Sequence, residues 1–502
     1  MSSGDHGSDG IGARILSGIA WKAGSQFTLQ ISRMAVALVL ARLLAPHDWG
    51  LAAMVLVFSS FVVVFTDSAF GTALIQRPHL LEEDRATVFW MSAAIGVALA
   101  LGGIALSGPL AHFYDEPEIK PLFSVLSIGF FVTALGTTQM ALLVRAMQFR
   151  RLELRQMAAT IVGAIAGMTV ALQHYGAWAI VAQQLGEAAT STVLLWFLAS
   201  WRPSFKFSLT SLKRLSGFAG NVFGENLFYQ SGRYLGTLLI GRFLGAASVG
   251  AYGLATNVIL VPFSRIAAPL QQVFFPAFSR MQHDRERMAD VWIRATRIVG
   301  LISIPALAGL AVVAPDFVDV VLGSKWHNAI PVIQILALVG IIQSLQTLNG
   351  EVLQALNRTG TLLRFTMLSF AGSVAAFALG VQWGIIGVAA CYLASNILIE
   401  PLRTYLTTRA LGIPVRRFLV SLSGVAQATA LMAVAVLATR AALVAAGVPA
   451  AGRLVLLILL GGVVYAAGCM WRAPEITGEF RAFRAQRRGV APPRIETAEA
   501  PL

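Results

Sequence analysis

The stretch LQISRMAVALVLARLLAP, residues 29–46, is an apolar run typical of a membrane-spanning helix, with an arginine at position 33 inside it. A charged side chain near the centre of such a helix costs about 2.5–3.5 kcal/mol even on the scale derived from insertion experiments. Arg33 therefore indicates either a charged partner or a functional site within the membrane.

The composition is that of an integral membrane protein. Hydrophobic residues make up 57% of the 502 positions and charged residues only 12%, whereas about 25% of the residues in a soluble domain are charged. Apolar runs of about 20 residues, long enough to cross the hydrocarbon core as a helix, recur along the whole chain. The sequence therefore predicts an all-α integral membrane fold and excludes a soluble globular protein.

Turn residues and charge clusters divide the chain into about 14 transmembrane helices. The predicted spans are 17–42, 49–75, 87–109, 119–143, 156–174, 176–200, 217–240, 247–274, 291–314, 328–350, 360–381, 384–408, 417–440 and 450–471. Most of the 38 basic residues fall in loops on the same side as the N-terminus. By the positive-inside rule, both termini are predicted to be cytoplasmic, and the net charge of +14 requires no nucleic-acid partner.

An internal repeat gives Arg33 a counterpart in the second half of the chain. The stretch FYQSGRYLGTLLIGRFLGA, residues 228–246, matches the opening stretch when positions are shifted by 200. The identities are Gly24/Gly224, Gln30/Gln230, Arg33/Arg233, Leu38/Leu238, Arg42/Arg242, Leu44/Leu244 and Gly50/Gly250. Further along, RAMQFRRLELR at 145–155 parallels QALNRTGTLLR at 354–364, with Ala146 opposite Ala355. Because both copies begin on the same side, they are predicted to be parallel repeats of six spans each.

The repeat predicts the domain organisation of the chain. The predicted parts are a polar cytoplasmic N-terminus (1–14), an N-terminal six-helix lobe (15–200), a cytoplasmic inter-lobe linker (201–216), a C-terminal six-helix lobe (217–408), two additional transmembrane helices (417–471) and a basic, Pro-rich cytoplasmic tail (472–502).

Both repeated arginines end a polar stripe on one helical face. Gln30 and Arg33 lie three positions apart, and Asn226, Gln230 and Arg233 repeat the pattern. Two such faces, related by the repeat, would line a cationic, water-filled cavity that binds an anionic substrate. The alternative is that the arginines pair with acidic residues inside the membrane, and the acids considered are Asp67, Glu187 and Glu225.

Other charged residues in the spans have two interpretations each. Arg265 lies between Pro262 and Pro269 in span 8, where it is either part of a kinked binding segment or extends toward the cytoplasmic surface. Acids in or near spans are candidates for H⁺ or Na⁺ coupling, or else salt-bridge partners. These acids are Asp67, Glu187, Glu225, Glu351 and Glu400.

No motif for catalysis or for binding a cofactor is found. The sequence has no GxxxxGK[ST] loop, HExxH or GxSxG, and its histidines lack the spacing of metal ligands. No enzyme activity, metal or cofactor is therefore expected.

Gly163 and Gly167 indicate close helix packing. Trp326 and Tyr114, near outside loops, are interpreted as interfacial anchors or as platforms for sugar rings.

Two segments resemble a known family. LARLLAPHDWGLAAMVLVFSSFVVVFTDSAFGTALIQR at 40–77 and VFFPAFSRMQHDRERM at 273–288 are similar to Wzx-type flippases of the multidrug/oligosaccharidyl-lipid/polysaccharide exporter superfamily. The resemblance implies two six-helix lobes forming a V, as in multidrug exporters of that superfamily, with two further helices. It also implies transfer of undecaprenyl-diphosphate-linked oligosaccharides to the periplasmic leaflet of the bacterial inner membrane, with Arg33, Arg233 and Arg265 in a cationic cavity.

The resemblance leaves the pathway and two related functions open. The polysaccharide is an exopolysaccharide, a capsule or an O-antigen, and a polymerase and co-polymerase are expected partners alongside membrane lipids. A lipid II flippase would share the fold and the chemistry. A cation-coupled multidrug exporter would need an acidic or apolar cavity, whereas the predicted face is basic. A membrane-embedded glycosyltransferase would need larger outside loops than this chain has.

Overall fold

A computed structural model of the protein describes the backbone of residues 29–30, 32–67, 74 and 80–472. Side chains are described over the same ranges except at 59–67, 209–233, 261–269 and 272. Within these residues the fold is all-α, and no β-strand occurs among them. The predicted tail 472–502 lies outside the described residues from position 473 onward, as does the predicted N-terminus 1–14.

Each predicted span overlaps a helix. The helices are α1 (29–43, residue 31 not described), α2 (Pro46–Asp67), α3 (Glu82–Tyr114), α4 (Ile119–Ala134 and Thr137–Arg145), α5 (Phe149–Leu172), α6 (Trp178–Leu198), α7 and α8 (Leu209–Arg280, divided by the non-helical Gly245), α9 (Arg285–Phe317), α10 (Ile330–Leu345 and Asn349–Ala355), α11 (Thr359–Gly380), α12 (Gly384–Leu411), α13 (Val415–Ala445) and α14 (Ala450–Arg472). The prediction of an all-α membrane fold with about 14 helices is confirmed.

By length and composition, eight helical segments of the described chain are able to cross a membrane, or nine if the two parts of α4, bent by 41°, form one span. This number is smaller than the number of predicted spans partly because joined helices count once. The segment Thr359–Leu411, for example, contains both α11 and α12. The chain is a multi-pass membrane protein.

The predicted repeat is visible as a reciprocal crossing of α2 and α8. A Cβ atom added at Gly50 would lie 1.7 Å from the backbone oxygen of Ala246, and one added at Gly250 would lie 1.9 Å from that of Pro46. Both pairs are related by the predicted shift of 200 positions, since Pro46 corresponds to Ala246 and Gly50 to Gly250. Such mutual contacts are what a two-fold relation between equivalent segments produces. Glycine is needed at both positions because the backbones touch.

A second repeated feature corrects the predicted register by one residue. In the turn before α5, Met147 has φ 51° and the amide of Gln148 donates to the oxygen of Leu143 (3.0 Å). In the turn before α11, Asn357 has φ 56° and the amide of Arg358 donates to the oxygen of Leu353 (2.8 Å). These equivalents differ by 210 positions, so pairing Ala146 with Ala355, a shift of 209, was wrong. At this turn the backbone hydrogen bonds define which residues of the two repeats are equivalent. The residues that are identical in the two sequences do not occupy equivalent positions.

The chain forms two compact units, which do not coincide with the predicted repeats. Unit 1 contains the chain up to Val258 with Val321–Val332 and Phe370–Tyr392, and unit 2 contains the remainder. The division into six-helix lobes stays a prediction.

In unit 2, α13 and α14 are held against α9 by Asp316, which is fully buried and forms ion pairs with Arg440 and Arg453. Both arginines also hydrogen-bond to this carboxylate, so its charge is compensated.

Part of the predicted linker is packed onto the start of α3. The indole of Trp201 donates to both carboxylate oxygens of Glu82 (3.0 and 3.1 Å), and that of Trp90 donates to the backbone oxygen of Ser204 (3.0 Å). Phe205 stacks on Trp90 with ring centroids 5.4 Å apart. The first residues of the linker therefore belong structurally to unit 1.

Candidate functional site

Arg33 of α1 is paired with Glu187 of α6. Its Nη2 donates to Oε1 of Glu187 at 2.7 Å, and the two side chains are 38% and 19% exposed. Glu187 was one of the three acids considered as partners. Since the pair is partly exposed, it compensates the charge of Arg33 without enclosing the guanidinium.

Two polar side chains of α5 hold the same carboxylate oxygen. The amide of Gln156 donates to Oε1 of Glu187 at 2.7 Å, and the hydroxyl of Thr160 donates to it at 3.2 Å. One carboxylate thus joins α1, α5 and α6.

Close packing of α5 on α6 brings Glu187 to this position. A Cβ atom at Gly163 would lie 2.7 Å from the backbone oxygen of Gln183, and one at Gly167 would lie 3.0 Å from that of Ala179. Gly163 and Gly167 therefore permit the close helix packing expected from the sequence. The stripe continues toward the start of α5 at helical spacing through Thr160 and Gln156. That continuation is the sequence signal for these two residues, which were not among the predicted site residues.

A second arginine of this region, Arg155 on α5, contacts Gln156. Arg155 is buried, with 7% of its surface exposed, and its Nη2 donates to Oε1 of Gln156 at 3.0 Å. Gln156 therefore accepts a hydrogen bond from Arg155 through its amide oxygen and donates one to Glu187 through its amide nitrogen.

For most of the other predicted site residues the structure describes only the backbone. Gln30 is half-buried on α1. For the others the backbone is helical but the side chain lies outside the described part of the structure. These residues are Asp67, Asn226, Glu225, Gln230, Arg233 and Arg265. Their proposed contacts therefore stay predictions.

A second group of buried charges lies in unit 2. Glu400 is 7% exposed and lies 3.9 Å from Nη1 of Arg403, and the hydroxyl of Ser369 donates to it at 3.4 Å. The guanidinium of Arg403 lies 5.0 Å from the ring centroid of Phe365. Glu351 is half-buried on the second part of α10. In both units an acid of one helix accepts a hydrogen bond from a hydroxyl of the preceding helix.

The interpretation of two aromatic residues was wrong. Trp326 and Tyr114 are 0% and 3% exposed, so neither can anchor in the interface or stack on a sugar ring. The indole of Trp326 donates to the backbone oxygen of Ala41 at 2.7 Å and packs edge-to-face on Trp49, with centroids 6.2 Å apart. The hydropathy pattern predicts that these residues lie near the membrane surface. It does not predict that neighbouring helix ends bury them, because that depends on tertiary packing.

Comparison with known proteins identifies the family. Residues 39–331, more than half of the chain, match the family model described as polysaccharide biosynthesis protein. The chain is 28% identical over 415 residues to the lipopolysaccharide biosynthesis protein WzxC of Escherichia coli (strain K12), covering 82% of this chain and 84% of the relative. It is 30% identical over 300 residues to the succinoglycan biosynthesis transport protein ExoT of Rhizobium meliloti (strain 1021), covering 60% and 61%.

A solved structure has the same fold. The lipid II flippase MurJ in an inward closed conformation matches with a TM-score of 0.71 at 15% sequence identity, over 90% of this chain and 99% of that chain. At this identity the likeness establishes the fold alone. No group of three or more His, Cys, Asp or Glu side chains able to hold a metal ion occurs in the described part of the chain. With the fold, the repeat and the matched residues in agreement, the chain belongs to the polysaccharide biosynthesis protein family.

Proposed function

We propose that this protein is a flippase that moves undecaprenyl-diphosphate-linked oligosaccharide units from the cytoplasmic to the periplasmic leaflet during polysaccharide biosynthesis. Membership of the family and the names of the two relatives support this function, since one is a polysaccharide transport protein. The observation that carries it to residues is the partly exposed ion pair of Arg33 with Glu187 within a helical membrane fold.

In this proposal the diphosphate binds to the donors of Arg33 that Glu187 does not occupy. A guanidinium has five N–H donors in a planar fork, and the ion pair uses Nη2. Glu187 then orients Arg33, while the remaining donors bind phosphate oxygens in pairs. Arg233, at the repeated position, would contact the same diphosphate, with Gln30, Asn226 and Gln230 beside it and Arg265 further along α8. The two lobes would alternate in access around this site.

The partners and the energy source are also proposals. Ionisable residues inside membrane spans are candidates for H⁺ or Na⁺ coupling that would drive transport. Glu400 is the described acid best suited to this role, because it is buried and its Oε2 has no hydrogen-bond partner among the described residues. Polysaccharide polymerase and co-polymerase are expected to receive the product.

A reconstituted transport assay tests the function. Purified protein in liposomes is expected to expose a fluorescent polyprenyl-diphosphate-linked sugar to a membrane-impermeant quencher faster than empty liposomes do. A matched fluorescent phosphatidylcholine should move at the rate seen without protein. Equal rates for both lipids would indicate a non-specific scramblase, and no acceleration of either would contradict the proposal.

We also propose that both termini are cytoplasmic. Cysteines introduced at exposed Glu118 and Asn328 should react with an impermeant thiol reagent in intact cells, whereas one at exposed Gln282 should react only after permeabilisation. Cys391 and Cys469 are first replaced by alanine so that only the new thiols respond. Labelling of Gln282→Cys alone in intact cells would reverse the orientation.

A further inference from the structure

The segment that leads from α6 into the linker, residues 199–208, is a non-helical strap along the start of α3. Two indole hydrogen bonds attach this strap to α3. In addition, the hydroxyl of Ser204 donates to Oε1 of Glu82 at 3.2 Å. The backbone amide of Ser208 donates to the hydroxyl oxygen of Thr87 at 3.0 Å. The position of the strap is therefore fixed by the first turns of α3.

The strap presents aromatic rings on its outer side. Phe205 is 94% exposed and Phe207 is 51% exposed, and Lys206 between them is also exposed. Phe205 stacks on Trp90 of α3 with ring centroids 5.4 Å apart, which holds it at one level of that helix. Large apolar side chains that are grouped and exposed indicate a surface that contacts another apolar partner.

The sequence of α3 shows at which level of the membrane the rings lie. This helix is able to cross a membrane, and it begins with four charged residues, Glu82–Arg85, followed by the uncharged stretch 86–111. At 1.5 Å per residue the stretch is about 39 Å long, whereas the hydrocarbon core is about 30 Å thick. A core centred on the stretch ends close to Trp90, and helical side chains point back toward the start of their helix. Phe205, stacked on Trp90, therefore lies at the boundary between head groups and acyl chains.

We propose that residues 201–208 form an interfacial anchor, in which Phe205 and Phe207 insert into the boundary between lipid head groups and acyl chains. Lys206 extends its charge to the head groups on an apolar stem. Aromatic side chains are enriched in membrane segments that lie at this level. The anchor fixes the depth of α3 and attaches the predicted inter-lobe linker to the membrane surface. A sugar ring would also stack on an exposed phenylalanine, but the level of Trp90 at the edge of the hydrocarbon core favours lipid.

Electron paramagnetic resonance of a spin label on Lys206→Cys tests the anchor. Cys391 and Cys469 are replaced by alanine, and the full-length protein is placed in phosphatidylcholine nanodiscs. The label is expected to be relaxed more by oxygen, which concentrates in lipid, than by a water-soluble nickel chelate. A label on Gln282→Cys, in the exposed turn before α9, should show the opposite preference. A label at 206 that is as accessible to the chelate as the label at 282 would overturn the proposal.

Two variants separate insertion into lipid from ring stacking. Phe205→Ser/Phe207→Ser should shift the strap about tenfold toward water, because two rings lose their burial, and the label at 206 then becomes accessible to the chelate. Phe205→Leu/Phe207→Leu keeps the apolar surface without the rings and should stay inserted.

Two results would contradict insertion into lipid. If the leucine variant behaves like the serine variant, the rings act by stacking. If a soluble oligosaccharide is needed to exclude the chelate, the rings bind sugar. Either result would overturn the proposal. Should the serine variant not fold, the comparison of labels at 206 and 282 in the parent protein decides alone.

Discussion

Replacing Arg33 with alanine is expected to lower the rate of lipid-linked sugar translocation about a hundredfold, with the protein still inserted in the membrane. Each hydrogen bond to a charged group contributes about 1.5–3 kcal/mol, and a bidentate contact to phosphate makes two of them. The variant also leaves the carboxylate of Glu187 without its cation, so the site repels the diphosphate. Arg33→Lys keeps the charge but loses the planar fork and should restore transport only in part.

A charge-balanced variant separates the substrate role from a structural one. Arg33→Ala/Glu187→Gln removes both charges of the ion pair, and glutamine still accepts hydrogen bonds from Gln156 and Thr160. If Arg33 only compensated Glu187, this variant would restore the translocation rate. If Arg33 binds the diphosphate, translocation stays low although the protein is inserted at the wild-type level. Full recovery of translocation would remove Arg33 from the substrate site.

The helices could be predicted from the sequence because one quantity, the hydropathy of each segment, decides whether it spans the membrane. An uninterrupted apolar run must form its backbone hydrogen bonds internally once it is in lipid, so hydropathy alone identifies a span. The repeat was equally accessible, since Gln and Arg, which recur at matched positions, are rare inside spans. Its register at the turn before α11 was not, because a one-residue shift leaves the composition almost unchanged.

The partner of Arg33 could not be chosen from the sequence. Asp67, Glu187 and Glu225 were all possible acids, and the choice depends on how each helix is rotated and how closely helices approach. Gly163 and Gly167 indicate the close approach of α5 to a neighbour but do not identify it.

The reciprocal crossing of α2 and α8 leads to the second large expected effect. Gly50→Ala and Gly250→Ala should each destabilise the purified protein by about 3 kcal/mol, the upper part of the range for overpacking. The added methyl group would meet the backbone oxygen of Ala246 or Pro46, at 1.7 and 1.9 Å, and a backbone atom cannot rotate away as a side chain can. Thermal unfolding in detergent, with a shift in Tm as the readout, measures the loss.

Gly253→Ala is the matched control on the same helix. A Cβ atom there would meet only the Cβ of Ala53, at 4.0 Å, so it should leave the Tm nearly unchanged. The double variant Gly50→Ala/Gly250→Ala carries the sharper test. Separating the two backbones once relieves both clashes, so its loss of stability should be clearly less than the sum of the single losses. Additive losses would mean that the two glycines act at independent contacts, and single variants as stable as Gly253→Ala would exclude the crossing itself.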